Sequence, residues 1–133
     1  MRSILILGAG FMQGPAIRIA KAKGYRVYAA DADPNAAHAG SADEFLHIDL
    51  KDKEALAEAA AGISGLAGVF TAGTDFSASV AYVAERLGLP GIPYEAALYA
   101  SDKARMRSRL RAAGVPVPDY AFGGSEDDPV ALA

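Results

Sequence analysis

The sequence predicts an α/β fold, an open parallel sheet of the Rossmann-like kind with helices on both faces, and three observations predict it. The chain opens on an apolar run at residues 4–7 (ILIL) that does not alternate with polar residues. Such a run reads as a strand covered on both sides, as a parallel sheet flanked by helices demands. Glycines at 8, 10 and 14 follow it directly, and Pro15 suits the first turn of a helix, where its missing N–H costs nothing. Strand-like and helix-like segments then alternate along the chain, the pattern of right-handed βαβ units.

Residues 16–23 carry helix formers with Lys21 and Lys23 in the last turn, where they complement the dipole, and Gly24 stops the helix. Residues 25–30 (YRVYAA) are a strand running into the turn-forming Asp31, Ala32, Asp33, Pro34 and Asn35. Residues 43–49 read as a shorter, more polar strand, as an edge strand should be, and residues 49–60 as a helix with early acids and many alanines. Residues 66–70 give a fourth strand, and residues 71–75 (TAGTD) are the loop off its carboxyl end, where open α/β sheets place ligands. A helix over 76–87 ends at Gly88. Prolines 90 and 93 then make an extended connector, residues 94–100 a short helix, and Ser101 or Asp102 caps a strongly basic helix. Gly114, Val115, Pro116, Val117 and Pro118 leave it as an extended exit. The sheet order expected is 3-2-1-4, with room for a short fifth strand.

Composition narrows the function classes. With 133 residues and 52% hydrophobic content, the chain can bury one ordinary core. A net charge of -3 with scattered basic residues gives no stripe for nucleic acid, and no apolar run approaches the length that spans a bilayer. The absence of cysteine excludes disulfides, thiol catalysis and thiolate metal sites. His38 and His47 have no second ligand at metal-binding spacing, so no metal site is expected. The opening apolar run is too short for a signal peptide, which points to the cytoplasm.

Function candidates gather at the glycine turn. A strand–glycine–helix unit aims unpaired helix N–H groups at one point, which suits a phosphate or carboxylate, but it also serves a βα turn that needs glycines merely to fold. The dinucleotide fingerprint is G-x-G-x-x-G; here the third glycine, Gly14, stands one place late and Gln13 occupies its position. Asp31, at the end of the second strand, fits either the ribose-binding acid of an NAD(P)-dependent oxidoreductase or a cap, with Asp33, for the turn before Pro34. Asp75 fits a cap for the next helix or a ligand-facing acid.

The last third separates these readings, because a dehydrogenase sheet would continue there with longer strands. At these residues the chain resembles the amino-terminal, preATP-grasp domain of the ATP-grasp ligases, such as biotin carboxylase and the large subunit of carbamoyl phosphate synthetase. The matching pieces are the opening ILGAG, the LGLPG connector, the Ser-Asp-Lys helix start at 101–103, Arg107 and the GVPVPDY exit. The resemblance implies an enzyme that uses ATP and Mg2+ to phosphorylate a small-molecule carboxylate and lets an amine or similar nucleophile displace the phosphate. It implies that Lys103 and Arg107 reach toward ATP, and that Gly8, Gly10, Phe11, Thr74 and Asp75 line the second-substrate side. A lysine and an arginine one turn apart supply cations where phosphoryl transfer develops charge. Lys103 opens its helix, where its charge opposes the dipole, so it is poorly placed for the fold alone.

The chain also departs from that family. The adenine pocket, glycine-rich flap and magnesium-binding carboxylates are not found after Tyr120, and Asp128 followed by Pro129 reads as the N-cap and first position of a new helix. The expectation is therefore a preATP-grasp domain over residues 1–120 and an exit segment over 121–133, a truncated piece of a longer ATP-grasp polypeptide. Such a piece should be inactive alone, should bind no cofactor tightly, and leaves a homodimer open. An oxidoreductase domain and a non-catalytic ligand-binding or dimerisation module are the alternatives.

Overall fold

The strand at the centre has no solvent face. β1 (Ser3–Leu7) buries Leu5, Ile6 and Leu7 completely, and its side chains alternate between two separate cores because successive residues of a strand point to opposite faces. In this computed structural model, which describes residues 1–124, β1 lies between β2 (Arg26–Asp31) and β4 (Leu66–Thr71), and β3 (Glu44–His47) pairs with the outer side of β2. All pairings are parallel, in the order β3-β2-β1-β4. That is the order expected.

Ile6 packs with Val27 and Ala29 under Ile17 and Ala20 of α1 (Gly14–Ala22). On the other face Leu5 and Leu7 meet Leu56, Ala57 and Ala60 of α2 (Lys53–Ala61) and Val83 and Ala84 of α3 (Ser77–Arg86). Each fully buried leucine or isoleucine contributes roughly 1.5–3 kcal/mol relative to an exposed one. The buried Ser79 hydroxyl donates to the Leu50 carbonyl at 2.7 Å, fastening α3 to the segment before α2.

Two expectations are corrected. The second helix starts at Lys53 rather than Asp49, because the Asp49 carboxylate accepts the Lys51 N–H (2.9 Å) and closes a turn of its own, leaving Asp52 to cap by accepting the Ala55 N–H (3.0 Å). Among the described residues the sheet has four strands and no fifth. The connector at 88–93 is irregular, and Pro90 and Pro93 bring no N–H to a ladder.

Two compact units are distinguished, Met1–Ala97 and the segment from Leu98 onward. α4 (Tyr94–Ser101) opens with Tyr94 edge-on to Tyr82, ring centres 5.2 Å apart. In the second unit α5 (Lys103–Ala112) is capped by Asp102, which accepts the Arg105 N–H at 3.0 Å, and it buries none of its residues. A segment without regular secondary structure follows it from residue 115 to 124. Among the described residues no helix is long and apolar enough to cross a membrane. The helix start expected at Asp128 lies outside the described residues.

Asp43 holds the entry to the edge strand. Its carboxylate accepts the Val27 N–H (2.8 Å) and pairs with Lys21 (2.9 Å), and these bonds hold it below the usual carboxylate range. A depressed carboxylate stabilises the fold above its unfolded-state value and loses that contribution as pH falls through its folded value. Asp43→Asn should therefore cost about 1 kcal/mol near neutral pH. In denaturant titrations from pH 7 to pH 2, the gap between variant and parent should close at the acid end.

Candidate functional site

Three loops leave the carboxyl ends of β1, β2 and β4, and the first is shaped by what glycine permits. Gly8 takes a left-handed conformation (φ +104°), and its N–H donates to the Ala30 carbonyl at 2.7 Å. The chain then makes a short 3-10 turn, Phe11–Gln13, and enters α1. Gln13 is 3% exposed, and its side chain lies against Gly8 and Gly10: a β-carbon at Gly8 would come within 2.9 Å of Gln13 Cδ. Its amide nitrogen donates to the Ala72 carbonyl in the loop after β4. The hollow beneath the glycines is thus filled by this chain's own glutamine.

The late third glycine has a local cause. Gly14 is helical (φ −51°, ψ −50°), so no conformational need explains it, but a β-carbon there would sit 2.7 Å from His38 Cδ2. The His38 ring is edge-on to Phe11 at 6.4 Å, its Nδ1 is 3.2 Å from Ser41 Oγ, and its backbone N–H donates to the Ala9 carbonyl. Asp31 is also spoken for. One carboxylate oxygen accepts the Ala9 N–H (2.8 Å) and the other the Asp33 N–H (3.0 Å), while Asp33 accepts the Asn35 N–H (2.9 Å). The two acids hold the turn before Pro34, and Asp31 also anchors the glycine loop.

The loop after β4 is tied to the first. The Thr71 hydroxyl donates to the Leu7 carbonyl (2.7 Å), so the Thr74 hydroxyl is the donor in the 2.6 Å contact between the two threonines. Gly73 (φ +66°) lies under Met12, where a β-carbon would be 3.1 Å from Met12 Cβ. Asp75 does not cap α3: the N-cap is Phe76, with no side-chain bond, and Asp75 is exposed. Gly8, Gly10, Phe11, Thr74 and Asp75 therefore occupy two loops fastened to each other, with Phe11 (83% exposed) and Met12 (64%) standing at the lip. Gln13, His38 and Thr71 were not foreseen in these roles. Only Gln13, standing in a glycine's place, left a trace in the sequence.

In the second unit Lys103 and Arg107 share the lining of a hollow of about 250 Å³ with Tyr120, Ala121, Phe122 and Gly123. The Arg107 guanidinium is 5.5 Å from the Tyr120 ring centre and that of Arg111 is 4.4 Å from it, so the tyrosine is a platform for two cations. Arg105 pairs instead with Asp102 at 3.6 Å.

No protein-family model and no curated protein sequence matches the chain. Solved structures do. Phosphoribosylglycinamide synthetase from Anaerococcus prevotii matches 98% of this chain at 25% identity with a TM-score of 0.80. N5-carboxyaminoimidazole ribonucleotide synthetase from Thermus thermophilus matches 93% at 28% identity and a TM-score of 0.65. The biotin carboxylase domain of the Hydrogenobacter thermophilus 2-oxoglutarate carboxylase, solved as a dimer with MgADP, ADP and bicarbonate, matches 96% at 22% identity and a TM-score of 0.66. The chain matches the amino-terminal domain of an ATP-grasp ligase. It spans about a third of each of these structures, 34%, 34% and 31%. The four-stranded sheet in the order β3-β2-β1-β4 is the preATP-grasp arrangement expected from the sequence.

Three outcomes test this arrangement of the loops. Gly14→Ala should destabilise the fold by about 1–3 kcal/mol through overpacking against His38. The double variant Gly14→Ala, His38→Ala should show a coupling of at least about 1 kcal/mol in denaturant melts. Because Gln13 fills the glycine hollow and Asp31 is used internally, calorimetry should show no binding of NAD or NADP at concentrations on the order of 10–100 μM.

Proposed function

We propose that this chain is the substrate-side amino-terminal domain of an ATP-dependent ligase that activates a carboxylate as an acyl phosphate and joins it to an amine or similar nucleophile. The observation that carries the reading is the match of nearly the whole chain to phosphoribosylglycinamide synthetase, 98% covered with a TM-score of 0.80. The pairing of Lys103 and Arg107 on one hollow supports it from the residues themselves. A carboxylate oxygen attacking the terminal phosphorus of ATP expels ADP, and charge spreads over the phosphate oxygens as it does so. Lys103 would meet that charge as a point cation, while Arg107, seated over Tyr120, would present a planar fork. Gly8, Gly10, Phe11, Thr74 and Asp75 would receive the second substrate at the carboxyl edge of the sheet.

Magnesium chemistry is a different matter. Among the described residues no group of three or more histidines and acids could hold a metal ion. Mg2+ accompanying ATP would be held by other parts of the complete enzyme, and the charged side chains lining the hollow of this chain are the cations Lys103 and Arg107.

In the complete enzyme Lys103→Ala should weaken ATP use by about ten- to a hundredfold, the loss of one charge-assisted contact worth roughly 1.5–3 kcal/mol. Folding should be intact, since no residue of α5 is buried. Unchanged kinetic constants for ATP in the folded variant would return Lys103 to a solvated basic face.

A further inference from the structure

The loops at the carboxyl ends of β1, β2 and β4 carry Asp31, Asp33 and Asp75 and neither lysine nor arginine. Lys51 follows β3, two strands away from β1. The turn that would most readily take an anion is already occupied. The N–H of Ala9 is given to Asp31, and the space beneath Gly8 and Gly10 holds the Gln13 side chain. What the edge offers instead is apolar: the exposed faces of Phe11 and Met12, held in place by His38 and Gly73, with the exposed Asp75 carboxylate in the neighbouring loop.

We propose that the second substrate presents to this edge an apolar group carrying at most a positive charge, of the kind found in a hydrophobic amine, and no phosphate. This rests on the ligase reading and narrows it. A phosphate brought to these three loops would find no lysine or arginine among their residues to pair with and would face the carboxylate of Asp75, and an anion that sheds water needs a paired partner. An arylalkylamine would lay its ring on Phe11 and Met12, and its ammonium would gain from the exposed Asp75 carboxylate. The bond of Gln13 to Ala72 and that of Thr71 to Leu7 hold the two loops together before any ligand arrives, so little ordering is left for binding to pay for.

The test is a set of amide-resolved NMR titrations on the 133-residue chain, with phenethylamine, ribose 5-phosphate and ATP added separately. Phenethylamine should shift the signals of Gly10, Phe11, Met12 and Gly73 saturably, with a dissociation constant on the order of millimolar, as expected for a ligand of this size. Ribose 5-phosphate should leave them unmoved. Phe11 is exposed and its removal leaves the core intact, so Phe11→Ala should weaken phenethylamine by about fivefold or more while preserving the spectrum elsewhere. Equal or tighter binding of ribose 5-phosphate at these loops overturns the proposal, and so does silence from phenethylamine. ATP reads the other hypothesis through Lys103, Arg107 and Tyr120. Absent ATP shifts with phenethylamine bound would count against the ligase reading and leave the charge preference of this edge standing.

Discussion

An amide buried in a protein interior must be hydrogen-bonded, because leaving it unpaired costs on the order of 1–3 kcal/mol. Gln13, at 3% exposure, meets that requirement by reaching the Ala72 carbonyl. The bond can form only if the residues between the two partners leave room, which is why Gly8 and Gly10 lack side chains: a β-carbon at either would press on the glutamine. It also fixes the loop after β4, which Thr71 fastens from the strand side by donating to Leu7. The carboxyl ends of β1 and β4 therefore behave as one piece, and Phe11 and Met12, which lead into Gln13, are held at its lip.

The chain divides its charge unevenly along the sequence. The three loops at the sheet edge have acids and apolar side chains, whereas α5 has Lys103, Arg105, Arg107, Arg109 and Arg111 on ten residues with Asp102 as its cap. α5 has no fully buried residue, with Met106 and Leu110 half-buried, so the hydrophobic effect holds it weakly, and its first lysine works against the helix dipole. The stacking of Arg107 and Arg111 on Tyr120 is the interaction that organises those cations.

Much of the fold was legible because it rests on local pattern. Residues 4–7 are apolar without alternation, and the three of them at Leu5, Ile6 and Leu7 are indeed fully buried. The order 3-2-1-4 agrees with a first strand read as central from its unbroken apolar run and a third read as an edge from its polar character. What escaped notice was decided by competition or distance. Asp49 and Asp52 both look like caps, and only the geometry shows that one closes a turn and the other starts the helix. Asp75 precedes a helix and yet caps nothing. The bond between Gln13 and Ala72 joins residues 59 apart in sequence, and the fit of Gly14 under His38 spans a loop; no periodicity carries such information.

The displaced glycine shows how one residue can change the use of a turn. Along a helix each step rotates the side-chain direction by about 100°, so a glycine at 14 relieves crowding in a different direction from a glycine at 13. At position 13 a glycine would leave the space under Gly8 and Gly10 open, the condition for backbone N–H groups to approach a pyrophosphate. Here position 13 points a glutamine into that space, and position 14 turns its bare face to the His38 ring. The glycines that remain serve internal packing, and Asp31 serves Ala9. The same strand, turn and helix that could have cradled a dinucleotide become a closed support, with Phe11 and Met12 standing exposed at its lip.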